Sequence, residues 1–583
     1  MTTEQLHKIR HSLSHLLAMA VLEKFPQAKL GIGPVIENGF YYDFDLPEKI
    51  SETDLPKLEK HIKRLISQNL SFRQLNKTPA EARNLLGRQK FKLELVTELE
   101  KAKKPITFYE SGQFLDLCSG PHVISTKEIP ADGFRLTHLA GAYWRGSEKN
   151  KMLTRIYGVA FENKKILGAY LAQQAEAKKR DHRILGQNLD LFAFSELVGK
   201  GLPLLTPKGS VIRRELERFI VDEEVKRGYQ HVFTPPLAKT ELYKTSGHYP
   251  YYKDTMYPPM RVDEEELILR PMTCPHHFML FASRPRSYKE LPLRYAEISP
   301  QFRYEKSGEL TGLMRVRMFT LVDAHIFCTA DQVEKEIENV LRFIDSSNKI
   351  LGLKKGLDYR YRLSLGDRQD QKKYYKDDRA WEYAENVLRK ILKKTKAPFY
   401  EAPAEAAFYG PKIDVQVKKI NGQEETAFTV QYDFVMPKRF NLRYIDNRGK
   451  EREPIVIHRA SIGCLERTIA FLIEHYAGAF PLWLSPVQVA IIPVGKAHKS
   501  FAKKLFQEFL RSQIRVELYG DNETVGYKIR AAEKQKVPYI LVIGEKEKNT
   551  GKLMIRIRGK KALKVMAKLE FLKDLIERIK MKK

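Results

Sequence analysis

Cysteine is scarce in this sequence. Four residues in 583, Cys118, Cys274, Cys328 and Cys464, lie far apart with no C-x-x-C pair. A disulfide scaffold is not expected, and a reducing cytosol is the natural setting. Long apolar runs are also missing. The longest, around PLWLSPVQVAIIPV, is too short to span a bilayer and is interrupted by Pro486, and the first residues, MTTEQLHKIRHS, carry no apolar signal core. A soluble cytoplasmic protein is therefore expected. No internal repeat or low-complexity stretch occurs. Neither nucleotide fingerprint is met, because no GxxxxGK[S/T] is present and neither GxG, at Gly31 to Gly33 or at Gly199 to Gly201, is followed by the third glycine. Acidic residues are in deficit, 72 Asp or Glu against 102 Lys or Arg, which leaves a net charge of +30.

What is present folds. The chain is 43% hydrophobic and 10% aromatic, which excludes a charge-dominated disordered tail, and its length argues for three to five folding units. The charge is uneven: residues 485 to 583 hold 24 Lys or Arg and 10 Asp or Glu, a net of +14 in 99 residues. A nucleic-acid partner fits that concentration better than a merely solubilising surface. Changes of pattern divide the chain. Residues 1 to 165 open with an amphipathic helix and run through aromatic-rich strands (GFYYDFDL), an α+β unit. Residues 166 to 186 are rich in helix formers and charge, as suits a solvent-exposed connecting helix. From 187 to 484, strand-like runs such as YGPKIDVQVKKI and ETAFTVQYDF follow one another through short turns, which predicts an antiparallel sheet. From 485 to 583 strand and helix alternate, which predicts an α/β unit with a largely parallel sheet.

Any ATP must be bound without a P-loop. In LPLRYAEISPQFRYEKSGELTGLMRVRMFT, Arg303 and Glu305 alternate to one face of a strand-like arm. A guanidinium can fork onto phosphate oxygens while a carboxylate accepts from an amine, so the pair suits the two ends of a nucleotide. An exposed hairpin with surface ion pairs would look much the same. The segment resembles motif 2 of class II aminoacyl-tRNA synthetases, with Arg315 and Phe319 in the RxxxF arrangement. SVIRRELERFIVDEEVKRGYQHVFTPP resembles motif 1, and IGCLERTIAFLIEH, with Gly463 and Arg467, resembles motif 3. More narrowly, RPMTCPHH, VDAHIFCT, AFYGPKIDV and IVIHRASIGCLER resemble the threonyl-tRNA synthetases, a likeness that runs from about residue 7 to the end. It implies a class II antiparallel sheet core, an N-terminal editing domain, a C-terminal anticodon-binding domain, a homodimer formed through motif 1, and threonine, ATP with Mg²⁺, and tRNA(Thr) as substrates.

Cys274, His325 and His458 stand 51 and 133 residues apart, so spacing alone announces no metal. Brought together, a thiolate and two imidazoles make a three-ligand zinc site with an open position. The resemblance implies that this zinc, one per subunit, binds the amino and hydroxyl groups of threonine. A site that engages a hydroxyl can reject valine, which lacks it, by roughly 10⁴-fold or more. By the same resemblance Asp323 bonds that hydroxyl, Tyr409, Lys412 and Gln431 line the amino-acid pocket, and Met272 closes it. Arg303 clamps the α-phosphate and the carboxylate, Glu305 meets the adenine amine, Phe319 the adenine face, and Arg315 and Arg467 the outer phosphates. Arg303, Arg467 and Lys412 are expected to carry catalysis, which is mostly placement of charge.

Serine keeps both groups that zinc engages and lacks one methyl, worth only about 1 to 3 kcal/mol, so a second sieve is needed. HSLSH puts His11 and His15 four apart on a helix, and LCSGPH puts Cys118 four before His122. A helical wheel places Leu6, Ile9, Leu13, Leu16, Leu17 and Ala20 in one stripe with the two histidines nearly opposite, outside the core. A surface pair or a zinc site of one Cys and three His are both compatible with that spacing. The HxxxH and CxGPH pair, with GAYWRG after it, resembles the editing domain of threonyl-tRNA synthetases, understood to clear serine from mischarged tRNA without zinc. Tyr42, Lys92 and Asp116 fall at matching positions. The alanine enzyme's editing domain holds zinc on the same four residues, so both states of the cluster remain open. Asn522, Glu547 and Arg556 match positions that read anticodon bases, whose unstacked edges suit mixed polar residues.

The sequence departs from the family in places. It begins directly at the editing domain, so the usual ubiquitin-like module is expected to be missing. FTLVDAH stands where FTQDDAH is common, placing Leu321 and Val322 beside the expected pocket. Thr426 replaces a ribose-contacting glutamine, and His276 replaces a glycine. A catalytically idle RNA-binding paralogue would have lost the ATP and zinc residues, and both sets are intact. A synthetase for proline or serine is the nearest enzymatic alternative.

Overall fold

The computed structural model describes residues 1–583, the side chains of residues 250 and 251 excepted. It forms two compact units, Met1–Ala175 and Glu176–Lys583.

In the first unit a helix, Thr3–Lys24, opens with a capping box in which Thr2 and Gln5 satisfy each other's backbone N–H groups. The expected stripe is there, with Ile9, Leu13, Leu16, Leu17 and Ala20 buried. The helix is not amphipathic in the expected sense, however. Ser12, Ser14 and His15 on the other side are buried as well. One side packs on an antiparallel sheet that includes Gly39–Asp45, Met152–Ala160 and Phe134–Tyr143. The other side is covered by residues 114–123, through His15 against Phe114 and Ser12 against Val123. A second covering layer is what a two-dimensional wheel cannot show.

The connecting segment is two helices. Lys164–Arg180 ends at Asp181, whose carboxylate caps His182–Asn188 by accepting from the Arg183 N–H. His182 is buried, with Nδ1 2.7 Å from Glu474 and Nε2 accepting from the Leu313 N–H. The second helix therefore packs into the larger unit where a solvent-exposed helix over 166–186 was expected.

The larger unit is built on an eight-stranded sheet. In spatial order its strands are Gln230–His231, Leu293–Phe302, Met318–Cys328, Ile455–Cys464, Glu424–Asp433, Lys412–Lys418, Tyr359–Ser364 and Phe399–Ala402. Every pairing is antiparallel except the two outermost. On Met318–Cys328 the alternation of side chains decides everything: Val322, Ala324 and Ile326 join the core with helices Pro207–Lys226, Val333–Ile350 and Leu465–His475, while Leu321, Asp323 and His325 point to the opposite face.

The C-terminal sheet runs Val516–Leu518, Val489–Pro493, Tyr539–Ile543, Lys552–Ile557, Lys564–Ala567. Its first three strands are parallel and its last two antiparallel, so the expectation of a largely parallel sheet holds only for one half. The reason is length. Only the short helix Glu545–Thr550 joins Tyr539–Ile543 to Lys552–Ile557, less than the dozen or so residues a parallel crossover requires. Among the described residues no helix is long and apolar enough to cross a membrane.

Candidate active site and a second cysteine and histidine cluster

The open face of the eight-stranded sheet carries a cavity of about 290 Å³. Arg303, Glu305, Arg315, Phe319 and Arg467, all expected around a nucleotide, line it together with Gln431. Strand alternation is not the reason for Arg303 and Glu305, because the strand ends at Phe302 and residues 303–306 are irregular. The Arg303 N–H still bonds the Arg317 carbonyl at 2.9 Å, which carries the hairpin on past the ladder. The Arg303 guanidinium lies 4.9 Å from the Phe319 ring, and its buried Nε has no partner. Burial holds this guanidinium below its usual pKa, so an anion arriving here would offset the cost of burying its charge. Arg315 pairs with Glu305 at 2.8 Å, and Arg467 bonds the Thr426 and Met314 carbonyls. Gly463, at φ +65°, makes the turn from strand to helix that sets Arg467. A Cβ there would run into the Ala427 carbonyl.

One transverse row of the sheet accounts for the next group. His325 sits directly opposite His458, His458 opposite Gln431, and Gln431 opposite Lys412 on four successive strands. Residues 133 positions apart thus become cross-strand neighbours, with the two imidazoles 4.6 Å apart. Cys274, at the start of helix Cys274–Ala282, completes a buried trio whose ligand atoms all lie within 4.8 Å of one another. Burial pushes the Cys274 thiol well up and the His325 imidazole well down. The His325 imidazole is therefore neutral, and a divalent cation would reverse the cost of forming the Cys274 thiolate. The donor set fits zinc with one position open.

Around the trio, Tyr409 stacks on His458 at 4.9 Å and donates to Gln431. Asp323 is buried two residues before His325 on the same face, its carboxyl pushed up by burial. Met272 packs in the same apolar cluster as Cys274. Lys412 does not line the cavity. It is bound at 2.6 Å to Asp414, which also takes Arg362 and Ser364 at 2.8 Å each. Of the family departures, Leu321 and Thr426 line the cavity. Val322 is buried in the core behind the sheet, and His276 faces the Leu237 carbonyl, so neither touches the expected pocket.

The smaller unit brings together all seven residues expected of an editing site. Cys118 Sγ is 3.3 Å from both His11 Nε2 and His122 Nε2, and the His15 ring lies 4.3 Å from that of His122. The Pro121 carbonyl, 3.1 Å from His11 Nδ1, can only accept, so it fixes the proton on Nδ1 and leaves a lone pair on Nε2. Asp116 is buried against Lys92 at 2.7 Å, accepts from the Tyr42 hydroxyl, and lies 3.9 Å from His15. Burial lowers all three histidines and raises Cys118 to about 11, so the cluster offers neutral imidazoles and a thiol at pH 7.

In the C-terminal region Asn522 is exposed, 3.5 Å from Lys499, and Arg556 is half-buried on Lys552–Ile557. Glu547 is buried and its carboxylate accepts the Gly544 N–H at 2.9 Å, capping its own helix. Sequence reasoning passed over three further residues. Asp433 binds His458, His277 meets His325, and His248 is buried with Nδ1 on Ser246 and Nε2 unpartnered. Burial, then the charges of His458, Arg439 and Arg303, pushes His248 down to about 3, so it is a neutral imidazole at pH 7. The tandem in CPHH was the only sequence signal for any of the three.

Residues 255–476 match the family described as tRNA synthetase class II core domain (G, H, P, S and T), residues 488–579 match the anticodon binding domain, and residues 106–157 match the threonyl and alanyl tRNA synthetase second additional domain. A threonine-tRNA ligase of Geobacillus sp. (strain WCH70) is 49% identical over 576 residues, 98% of this chain and 88% of its own. One from Staphylococcus aureus (strain JH9) is 47% identical over 582 residues, 100% of this chain and 89% of its own. Among solved structures, the RNA binding domain of threonyl-tRNA synthetase from Cryptosporidium parvum Iowa II superposes with a TM-score of 0.65 at 35% identity, covering 68% of this chain and 98% of that one.

Proposed function

Because the chain belongs to the threonyl-tRNA synthetase family, we propose that it makes threonyl-adenylate in the cavity lined by Arg303, Arg315 and Arg467 and passes threonine to its tRNA. We also propose that the His11 cluster clears serine from mischarged tRNA. The chain is a class II threonine-tRNA ligase with an editing domain and an anticodon-binding domain. One observation carries the assignment of residues: the five side chains suited to a nucleotide share a single cavity, and Gln431 on its wall lies opposite His458 in the sheet.

In this reading Arg303 neutralises the α-phosphate and the substrate carboxylate, Phe319 stacks on adenine, and Glu305 accepts from its amine. Arg315 then exchanges Glu305 for the outer phosphates of MgATP beside Arg467. Half-exposed, Arg315 gives up an ion pair worth at most about 1 kcal/mol, less than a charge-assisted phosphate contact returns. Cys274, His325 and His458 would hold zinc, which when bound supplies a Lewis acid for the amino and hydroxyl groups of threonine. Asp323 accepts from that hydroxyl. Tyr409 and Gln431, locked to each other, line the pocket beside them, and valine, which lacks the hydroxyl, would leave Asp323 and the metal's open position without their partner. Asp414 keeps the Lys412 ammonium at the end of the row.

Amino-acid-dependent pyrophosphate exchange tests the assignment. Threonine should support it, serine weakly, and valine and proline at roughly 10⁻⁴ of the threonine rate or less. Equal rates with threonine and valine would refute it. The basic C-terminal region is proposed to grip the tRNA backbone, with Asn522 and Arg556 presented to anticodon bases and Glu547 holding their scaffold. Binding of tRNA should then fall about tenfold or more between about 50 and 200 mM salt, with adenylate formation changing far less. Equal salt sensitivity of the two steps would argue against it.

A further inference from the structure

We propose that His277, backed by Glu297, is a positioning residue of the zinc site that fixes which nitrogen His325 presents to the metal. The proposal rests on the zinc reading above and concerns residues that do not themselves reach the metal. His277 Nδ1 lies 2.9 Å from His325 Nδ1, the rings nearly perpendicular at 87°. Two imidazole nitrogens at that distance share one proton, and its owner is decided at the far end. His277 Nε2 is 3.2 Å from Glu297 Oε2, and Glu297 also accepts from Thr234 Oγ1 at 2.7 Å and Arg270 Nη2 at 2.9 Å. Burial works against this carboxylate, yet the bonds from His277, Thr234 and Arg270 together hold its pKa below the usual range. It is therefore an acceptor only, and His277 carries its proton on Nε2. A neutral His277 must then accept at Nδ1, His325 must donate from Nδ1, and the His325 lone pair is left on Nε2.

The other imidazole is set by a shorter device. His458 Nε2 is 2.7 Å from Asp433 Oδ2, while Asp433 Oδ1 is tied to the Val435 and Met436 N–H groups at 2.9 Å each. His458 therefore offers Nδ1. The two ligands, cross-strand neighbours, present different nitrogens, and each choice is imposed from behind. His277 and Arg270 are 0% exposed and Glu297 2%. A buried polar chain of this length is costly unless every member is satisfied, and it ends on a metal ligand.

The test uses the full chain, Zn²⁺ in competition with a chromophoric chelator, and the visible absorption of the Co²⁺-substituted protein. His277→Leu should lower zinc affinity about 10- to 100-fold and alter the Co²⁺ bands. His277→Asn, whose amide oxygen can still accept from His325 Nδ1, should restore most of both. A folded His277→Leu protein with parental affinity and parental Co²⁺ bands overturns the proposal. If that variant does not fold, Glu297→Gln decides, because it keeps His277 and all three ligands. Weakened zinc binding there supports the relay, and unchanged affinity with unchanged bands overturns it. A parent protein that takes up no zinc defeats the zinc reading and the relay together, whereas a zinc-bound parent with unaffected variants defeats the relay alone.

Discussion

Replacing His325 by Ala should abolish threonine-dependent pyrophosphate exchange, by roughly 10³-fold or more, and should release the single zinc ion expected per chain. The size follows from the position of the residue. His325 is one of three ligand groups within 4.8 Å, so its loss leaves a thiol and one imidazole, too few for a stable tetrahedral site. Selection falls with it. Threonine and valine match in shape, so the apolar part of the pocket separates them by no more than about 10- to 200-fold, and the remainder of the expected discrimination depends on engaging the hydroxyl. His325 is also buried, so the variant carries a cavity, and its melting temperature must be compared with that of the parent before activity is interpreted. The same loss should appear without any substitution when zinc is stripped by a chelator, and added Zn²⁺ should reverse it. Full threonine activation in a zinc-free preparation would sink the assignment of Cys274, His325 and His458.

How much of this was legible beforehand depends on what each residue's role requires. Arg303 and Glu305 could be picked out because their chemistry is particular, Arg315, Phe319 and Arg467 through compact motifs that resemble those of class II synthetases, and all five share a cavity. Cys274, His325 and His458 could be reached only through resemblance, since nothing local relates residues 51 and 133 positions apart. Sheet register supplies the relation. Val322 was avoidable as a pocket candidate: with Asp323 and His325 taken for the site, strand period alone places Val322 on the opposite face. His277, Asp433 and His248 were beyond reach for a different reason. Their roles are hydrogen-bond directions, which exist only once a carbonyl or carboxylate has been brought to one end of the ring. Architecture shows the same division. Short turns between the strand-like runs foretold an antiparallel core, but the half-antiparallel C-terminal sheet turned on a six-residue helix, Glu545–Thr550, that alternation by itself does not measure.

Replacing His11 and His15 together by Ala should let Ser-tRNA accumulate when serine, ATP and the threonine tRNA are supplied, while threonine activation stays within about twofold of the parent. The first half follows from arithmetic. One methyl is worth only about 1 to 3 kcal/mol, so a pocket that engages an amine and a hydroxyl charges serine at up to about a tenth of the threonine rate per encounter. Hydrolysis then has to remove it. His11, with its proton fixed on Nδ1 by the Pro121 carbonyl, keeps an Nε2 lone pair that can hold or deprotonate a water, and general-base catalysis of that kind is worth about 10²- to 10⁴-fold. His15 lies 3.9 Å from Asp116, whose charge is already matched by Lys92, so both imidazoles stay neutral across the physiological range. Burial lowers them further, and hydrolysis should therefore show no loss as pH falls from 8 to 7 beyond that set by hydroxide. The second half follows from the fold. Residues 1–175 form one compact unit and all the proposed activation residues belong to the other. His15 is buried, so His11→Ala alone, at a half-buried position, separates lost chemistry from lost folding. A correctly folded double variant that clears Ser-tRNA as fast as the parent would remove the editing role from this cluster and leave the two histidines a structural one.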